Sequence, residues 1–177
     1  PILKMSEFKH LYLNFVLGTM IGLMIIGLTS KIGIELFKLD SITVASLMSL
    51  FAVLNGFGRP LFGLIIDRYS IRFAMNLSYS LILISSLVLL FLRIELSIMF
   101  IISFSIYWLN LGAWLSIAPN ATRLLFGSYG YSKNYGIVFT AYGLGAILGI
   151  VFSGLIMDLF QSYYVIFGFI IILSIIG

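Results

Sequence analysis

The residue with the most chemistry to explain is Arg59. It stands in the run Asn55-Gly-Phe-Gly-Arg-Pro60, inside a segment from Ile42 to Ile66 whose other residues are apolar, small or uncharged. An arginine at bilayer depth costs at least about 2.5–3.5 kcal/mol on insertion scales, and such a cost usually marks a substrate or ion pathway. Snorkelling to a headgroup is the alternative. Arg59 lies eight residues before Asp67, however, which is roughly 12 Å along a helix and beyond comfortable reach. A guanidinium held there presents a planar fork that grips a carboxylate with two parallel hydrogen bonds. Pro60 removes one backbone N–H and deprives the Gly56 carbonyl of its partner, while Gly56 and Gly58 let another backbone or a ligand come close. The expectation is an interrupted helix beside a charge, with Asn55 as its polar neighbour.

Other chemistry is sparse. His10 is the single histidine, there is no cysteine, and no paired carboxylates lie in the apolar runs. A metal cluster or a Ser/His/Asp arrangement therefore has nothing to build on, and neither metal nor cofactor is expected. Asp158 sits at the end of an apolar run, where capping or pairing is its ordinary role. Asn14, Asn110, Thr140 and Tyr142 are polar side chains within apolar segments; each is a candidate cavity residue or an interhelical hydrogen-bonding group. The tripeptides Asn76-Leu-Ser78 and Asn120-Ala-Thr122 fit the glycosylation pattern but fall on the inner side of the topology read below. Gly56-x-Gly58 and Gly143-x-Gly145-x-x-x-Gly149 lack the strand–helix context of a dinucleotide site.

The elements that position these residues are membrane spans. The chain is 62% hydrophobic and 9% charged, against about 25% charged residues in ordinary soluble domains. Its apolar runs are too long, and alternate too little, for barrel strands. Five full spans and a shortened sixth can be read: Leu11–Ile34, Ile42–Ile66, Phe73–Leu92, Ser97–Pro119, Tyr135–Phe160, and Tyr164 to the end. The separators are Glu35–Ser41, Asp67–Arg72, Arg93–Leu96, Asn120–Asn134 and Gln161–Tyr163. Placing the first span's start inside puts Lys4, Lys9, Arg68, Arg72, Arg123 and Lys133 in the cytoplasm against Lys31, Lys38 and Arg93 outside, which satisfies the positive-inside rule. The net charge of +4 is thus a topology signal scattered over loops, and no nucleic-acid partner is expected.

Two internal patterns add to this. Gly63-Leu-Ile-Ile-Asp67, closing the second span, recurs as Gly154-Leu-Ile-Met-Asp158, closing the fifth. Copies separated by three spans are inverted in the membrane, the plan of many secondary transporters with midplane sites. Gly18/Gly22 and Gly145/Gly149 are G-x-x-x-G pairs, which favour close helix crossing.

Gly63-x-x-x-Asp67-Arg68-x-x-x-Arg72 resembles the loop signature of the major facilitator superfamily, and that resemblance implies charged side chains that lock neighbouring helix ends. Farther on, Ser116-Ile-Ala-Pro119, Phe126-Gly-Ser128 and Lys133-Asn-Tyr-Gly136-Ile-Val-Phe139-Thr-Ala-Tyr-Gly143 are similar to the carboxyl half of the oxalate/formate antiporter family. With Asn55-Gly-x-x-Arg59-Pro60, the similarity runs from the second span to the fifth. It implies that Arg59 pairs with a substrate carboxylate, and that Tyr142 stands where the oxalate transporter has a lysine. A phenol carries no charge near neutral pH, so one carboxylate is expected rather than two. The related monocarboxylate transporters have an aspartate four residues before their arginine, where this chain has Asn55. Two residues before Phe126, where the antiporter family commonly has an aspartate, stands Leu124.

The expected fold is an all-helical, polytopic transmembrane bundle: the carboxyl-terminal six-helix half of a facilitator-type transporter, built of inverted three-helix repeats, with residues 1–177 a fragment lacking its amino-terminal half and the last helix truncated. The expected function is secondary active transport of a small organic anion by alternating access in the cell membrane, by antiport or ion coupling, with that amino-terminal half as the other wall of the site. The expected substrate residues are Arg59, Tyr142, Asn55 and Thr140. A facilitator for a different small solute, or a non-transporting subunit of a membrane complex, is the rival reading. A membrane-embedded enzyme is disfavoured by the lack of clustered ionisable residues.

Overall fold

The computed structural model describes residues 2–92 and 96–177. After a short 3-10 turn at Ile2–Lys4 the chain forms six α-helices: α1 (Ser6–Lys31), α2 (Ser41–Arg68), α3 (Ile71–Leu92), α4 (Ser97–Phe126), α5 (Tyr131–Phe160) and α6 (Tyr163–Ile176). No strand occurs among the described residues. α1 to α5 are long and apolar enough to cross a membrane, and α6 is shorter. The position expected outside at Arg93 falls beyond the described residues.

Helix starts and stops follow local chemistry. Asp40 accepts the Thr43 amide at 2.9 Å and caps α2; this hydrogen bonding, chiefly with Thr43, holds its carboxyl below the usual range. α1 runs on through a wide π turn at Ile32–Leu36, closed by the Phe37 amide on the Ile32 carbonyl at 3.1 Å. The loop expected over Asn120–Asn134 shrinks to four residues, because α4 continues past Pro119 to Phe126 and α5 begins at Tyr131. Gly127 (φ 77°) and Gly130 (φ 68°) take the left-handed conformations that delimit this turn. Thr122 consequently lies buried inside α4 and Ser78 inside α3.

A second correction concerns α2, which is continuous from Ser41 to Arg68 with Pro60 inside it, rather than interrupted. The proline ring crowds the carbonyl four residues earlier. That residue is Gly56, beside which nothing lies within 4 Å of where a Cβ would stand, so the backbone has room to adjust.

The packing has an inverted symmetry. α2 lies mainly on α4, α5 on α1, and α3 on α6, while α1 and α4 meet at the centre. Exchanging α1–α3 with α4–α6 leaves that pattern unchanged. α1 and α4 carry most of the buried residues, including Phe15, Ile21, Phe104, Tyr107 and Trp114. Between them Trp108 Nε1 donates to Thr29 Oγ1 at 3.1 Å, and the Trp114 indole lies against Gly18, where any side chain would collide with it. Ser86 Oγ and the Tyr107 hydroxyl bond at 2.8 Å, tying α3 to α4. These bonds match buried polar groups within the bundle, as a hydrocarbon surround favours, whereas Ser78 Oγ, Ser85 Oγ and Trp114 Nε1 are buried without a partner.

Small residues set the two closest crossings. Gly58 of α2 presses on the Leu109 carbonyl of α4, and Gly112 of α4 on the Asn55 carbonyl of α2. Across the symmetry, a Cβ at Gly145 of α5 would stand 2.8 Å from the Val16 carbonyl of α1, and one at Gly149 2.8 Å from that of Met20. Gly58 and Gly149 each precede the repeated Gly-Leu-Ile-x-Asp run by five residues, so repeat and packing share one register.

Candidate functional site

The two ends of the bundle differ in charge. Glu7 and His10 of α1, Arg72 of α3 and Leu125 of α4 line one cleft of about 380 Å³. Ile2 and Leu3 line another with Tyr129 and Lys133. The starts of α1, α3 and α5 and the end of α4 therefore share one end of the molecule, and with them Lys4, Lys9, Arg68, Arg72, Arg123 and Lys133. At the other end Leu90 of α3 meets Phe160 of α5 and Tyr164 of α6, and the Tyr163 hydroxyl donates to the Glu35 carboxylate. Asp67 thus lies at the basic end and its repeat counterpart Asp158 at the opposite one, as inversion requires.

Arg59 projects from the exposed side of α2. It is nine residues from the helix end at Arg68, or about 13 Å, close to the middle of a hydrocarbon core about 30 Å thick. The opposite side of α2, with Gly58 and Phe62, is buried. Asn55, one turn earlier, is half-buried where its carbonyl meets Gly112.

α5 brings the aromatic part. Its Val138, Ala141, Gly145 and Gly149 are buried. Tyr131, Tyr135, Phe139 and Tyr142 form a ladder on another side: Tyr131 and Tyr135 stack at 5.7 Å and 2°, Tyr135 and Phe139 tilt at 5.6 Å, and Phe139 and Tyr142 stack at 5.4 Å and 5°. α2 crosses α4 at Gly58, next to Arg59, and α4 shares a cleft with Tyr131 of α5; the Arg59 charge reaches the Tyr135 phenol. Tyr142 rests on Phe15 of α1 at 6.4 Å. Thr140 Oγ1 donates to the Ile137 carbonyl at 2.7 Å and lies 2.9 Å from the Tyr12 hydroxyl of α1.

Of the residues read from sequence, Tyr142 is the far rung of this ladder and Thr140 lies on the same helix, whereas Arg59 and Asn55 stand on α2. Tyr12, Tyr131, Tyr135 and Phe139 were not singled out as site residues, although four aromatic residues at spacings of four, four and three are a visible helical stripe. Asn14 and Asn110 each donate to a carbonyl of their own helix, at 2.9 Å to His10 and 2.8 Å to Ile106, and each keeps a buried Oδ1 without a partner. Gly63 sits in ordinary contact distance of Ser116, Asp67 is exposed, Arg68 lies over the Tyr69 ring at 5.9 Å, and Arg72 faces its cleft with Glu7 and His10.

A surface cavity of about 580 Å³ lies among α3, α5 and α6 and is lined without charge. No cluster of metal-ligating side chains occurs among the described residues. The arrangement is a cation at mid-depth on α2 with a strip of aromatic rings on α5.

Comparison with known proteins bears on the family of the chain. The chain is 24% identical over 145 residues to an uncharacterized MFS-type transporter, YhjX, of Escherichia coli (strain K12). That alignment covers 82% of this chain and 36% of the relative, so the chain spans little more than a third of the curated protein it matches. The sequence profile of the Major Facilitator Superfamily matches residues 12–177. An all-helical bundle with inverted packing, five apolar membrane-crossing helices and that match together establish that the chain belongs to the major facilitator superfamily, a family of membrane transporters.

Proposed function

We propose that the protein carries a small organic anion across the membrane by alternating access, with Arg59 as the anchor for a single carboxylate. The observation that carries the reading is Arg59 itself: a lone arginine about 13 Å from the basic end of α2 at Arg68, and farther from its other end, would be costly without an anionic partner, and it stands on the face of α2 that this bundle leaves uncovered. An amino-terminal half of the same protein would supply the facing wall, and rocking of the halves would expose Arg59 to each side in turn. Asn55, Thr140 and Tyr142 complete the polar lining. Tyr142 brings a hydroxyl and no charge, which favours a monocarboxylate over oxalate. The resemblance to the oxalate/formate antiporters supports exchange or ion coupling as the driving mode.

The test is uptake by the full-length protein in proteoliposomes. Arg59→Lys keeps the charge but loses the fork. The loss of one charge-assisted bond, about 1.5–3 kcal/mol, corresponds to roughly tenfold to a hundredfold weaker binding. Arg68→Lys, at the wet helix end, is expected to transport nearly as well as the parent. Full carboxylate uptake by Arg59→Lys would remove Arg59 from the site. Orientation is checked with single cysteines: Lys38→Cys should react with an impermeant reagent from outside, and Arg72→Cys and Lys133→Cys should not.

A further inference from the structure

The aromatic ladder of α5 has no counterpart on α2. Tyr131 and Tyr142 lie eleven residues apart, about 16 Å along a helix. At the basic end Tyr131 lines a cleft of about 390 Å³ with Pro119, Asn120, Arg123 and Ser128; α4, which supplies three of those residues, is crossed by α2 at Gly58, next to Arg59, and the Arg59 charge reaches Tyr135, one turn deeper than Tyr131. Cations thus stand at the mouth and beside the interior of one continuous aromatic strip. Phe139, in the middle of that strip, remains 41% exposed although it touches Tyr135, Tyr142 and Phe15. Packing takes up only part of these rings: Tyr135 and Tyr142 lie partly buried against the core, while α5 makes its close approach to α1 through Gly145 and Gly149.

An anion whose carboxylate sits on Arg59 must lay the rest of its body somewhere near Tyr135. A one- or two-carbon acid would leave the rings untouched. A planar, conjugated body would stack on them, in the offset or edge-on arrangements that aromatic rings prefer. We infer that the ladder Tyr131–Tyr135–Phe139–Tyr142 is the specificity surface of the carrier, and that its substrate is a monocarboxylate bearing an aromatic or extended conjugated group. This rests on the carboxylate reading of Arg59 and narrows it. Tyr131, beside Arg123, is then the first ring such an acid meets on entering from the basic end, and Phe139 a ring against which its body comes to lie.

The experiment measures uptake of benzoate and of acetate separately, each with the full-length protein in proteoliposomes. The parent is expected to favour benzoate. Phe139→Leu, which keeps apolar bulk but removes the ring, should lower the benzoate-to-acetate ratio on the order of threefold to tenfold. Tyr135→Phe, which keeps the ring, should retain it better than Tyr135→Leu. Phe152→Leu, on the same helix but stacked on Phe169 away from the ladder, should leave both uptakes as in the parent. An equal fall in both uptakes for Phe139→Leu would make the ladder a packing element and overturn the inference. Acetate uptake that needs Arg59 but shows no preference for benzoate would overturn the ladder alone, leaving the carboxylate site standing. Uptake of neither acid would overturn both.

Discussion

α2 and α5 are symmetry-related arms that grip the bundle in the same way and differ in what they present outward. α2 holds α4 through Gly58 and Gly112, and α5 holds α1 through Gly145 and Gly149, backbone against backbone in both cases. Outward, α2 offers a cation, Arg59, while α5 offers rings, Tyr131 to Tyr142. The shared part is what membrane packing requires: with no hydrophobic drive between helices in lipid, small residues win contact by letting backbones approach. The differing part lies on faces that packing leaves free, where sequence can change without disturbing the crossings. Side chains free to do chemistry accumulate where the scaffold has least need of a particular one.

The largest way to break this comparison is to spoil a shared crossing. Gly58→Leu drives a side chain into the Leu109 carbonyl, and Gly112→Leu into that of Asn55. Overpacking of this kind costs about 1–3 kcal/mol, and more where the obstacle is backbone. Loss of monodisperse protein in detergent chromatography is expected for both. Gly56→Ala and Gly143→Ala meet open space and should behave as the parent or gain slightly, since alanine is the better helix former by about 1 kcal/mol.

A second change makes the outward faces alike. Tyr142→Lys places a charge on the α5 arm, and the expected result is a shift of uptake from monocarboxylates toward dicarboxylates. An unchanged ratio of acetate to oxalate uptake would separate Tyr142 from the Arg59 site.

Smaller effects test the central pair. Thr29→Val leaves the Trp108 indole N–H without the acceptor it now has at 3.1 Å. Interhelical bonds in membranes average about 0.6 kcal/mol, so a fall of a few degrees in the detergent melting temperature is expected, with transport retained. The smallest effect is at the α2 cap. The Asp40 carboxyl is held below its ordinary value by its bonds to Thr43, so its stabilisation is complete above the ordinary carboxylate pKa and is lost as pH falls through the lowered value. Asp40→Ala should melt below the parent at pH 7, and the gap should close in strong acid.

Hydropathy alone located the membrane helices, because a backbone in hydrocarbon must satisfy its own hydrogen bonds over about twenty apolar residues. It did less well at their ends. Pro119 read as a terminus and the Gly56–Pro60 run as a break, yet both prolines sit inside continuous helices. Neighbouring packing and the room at Gly56, neither of them local properties, decide whether a proline interrupts. The G-x-x-x-G pair at Gly145/Gly149 was legible as a crossing, but the Gly58–Gly112 contact was not, since its two glycines come from different helices.

Arg59 was legible as the residue to explain because a charge in an apolar run is conspicuous without any structure. By itself the sequence determined an all-helical membrane bundle, its inverted repeat, and a single buried-depth cation. Only the tertiary structure decided that the helices carrying that cation and α5's rings both pack on α4, that Thr140 meets Tyr12, and that Asn14 and Asn110 turn to their own helices. Periodicity tells which residues of one helix share a face; which helix that face meets depends on crossings between segments far apart in the chain.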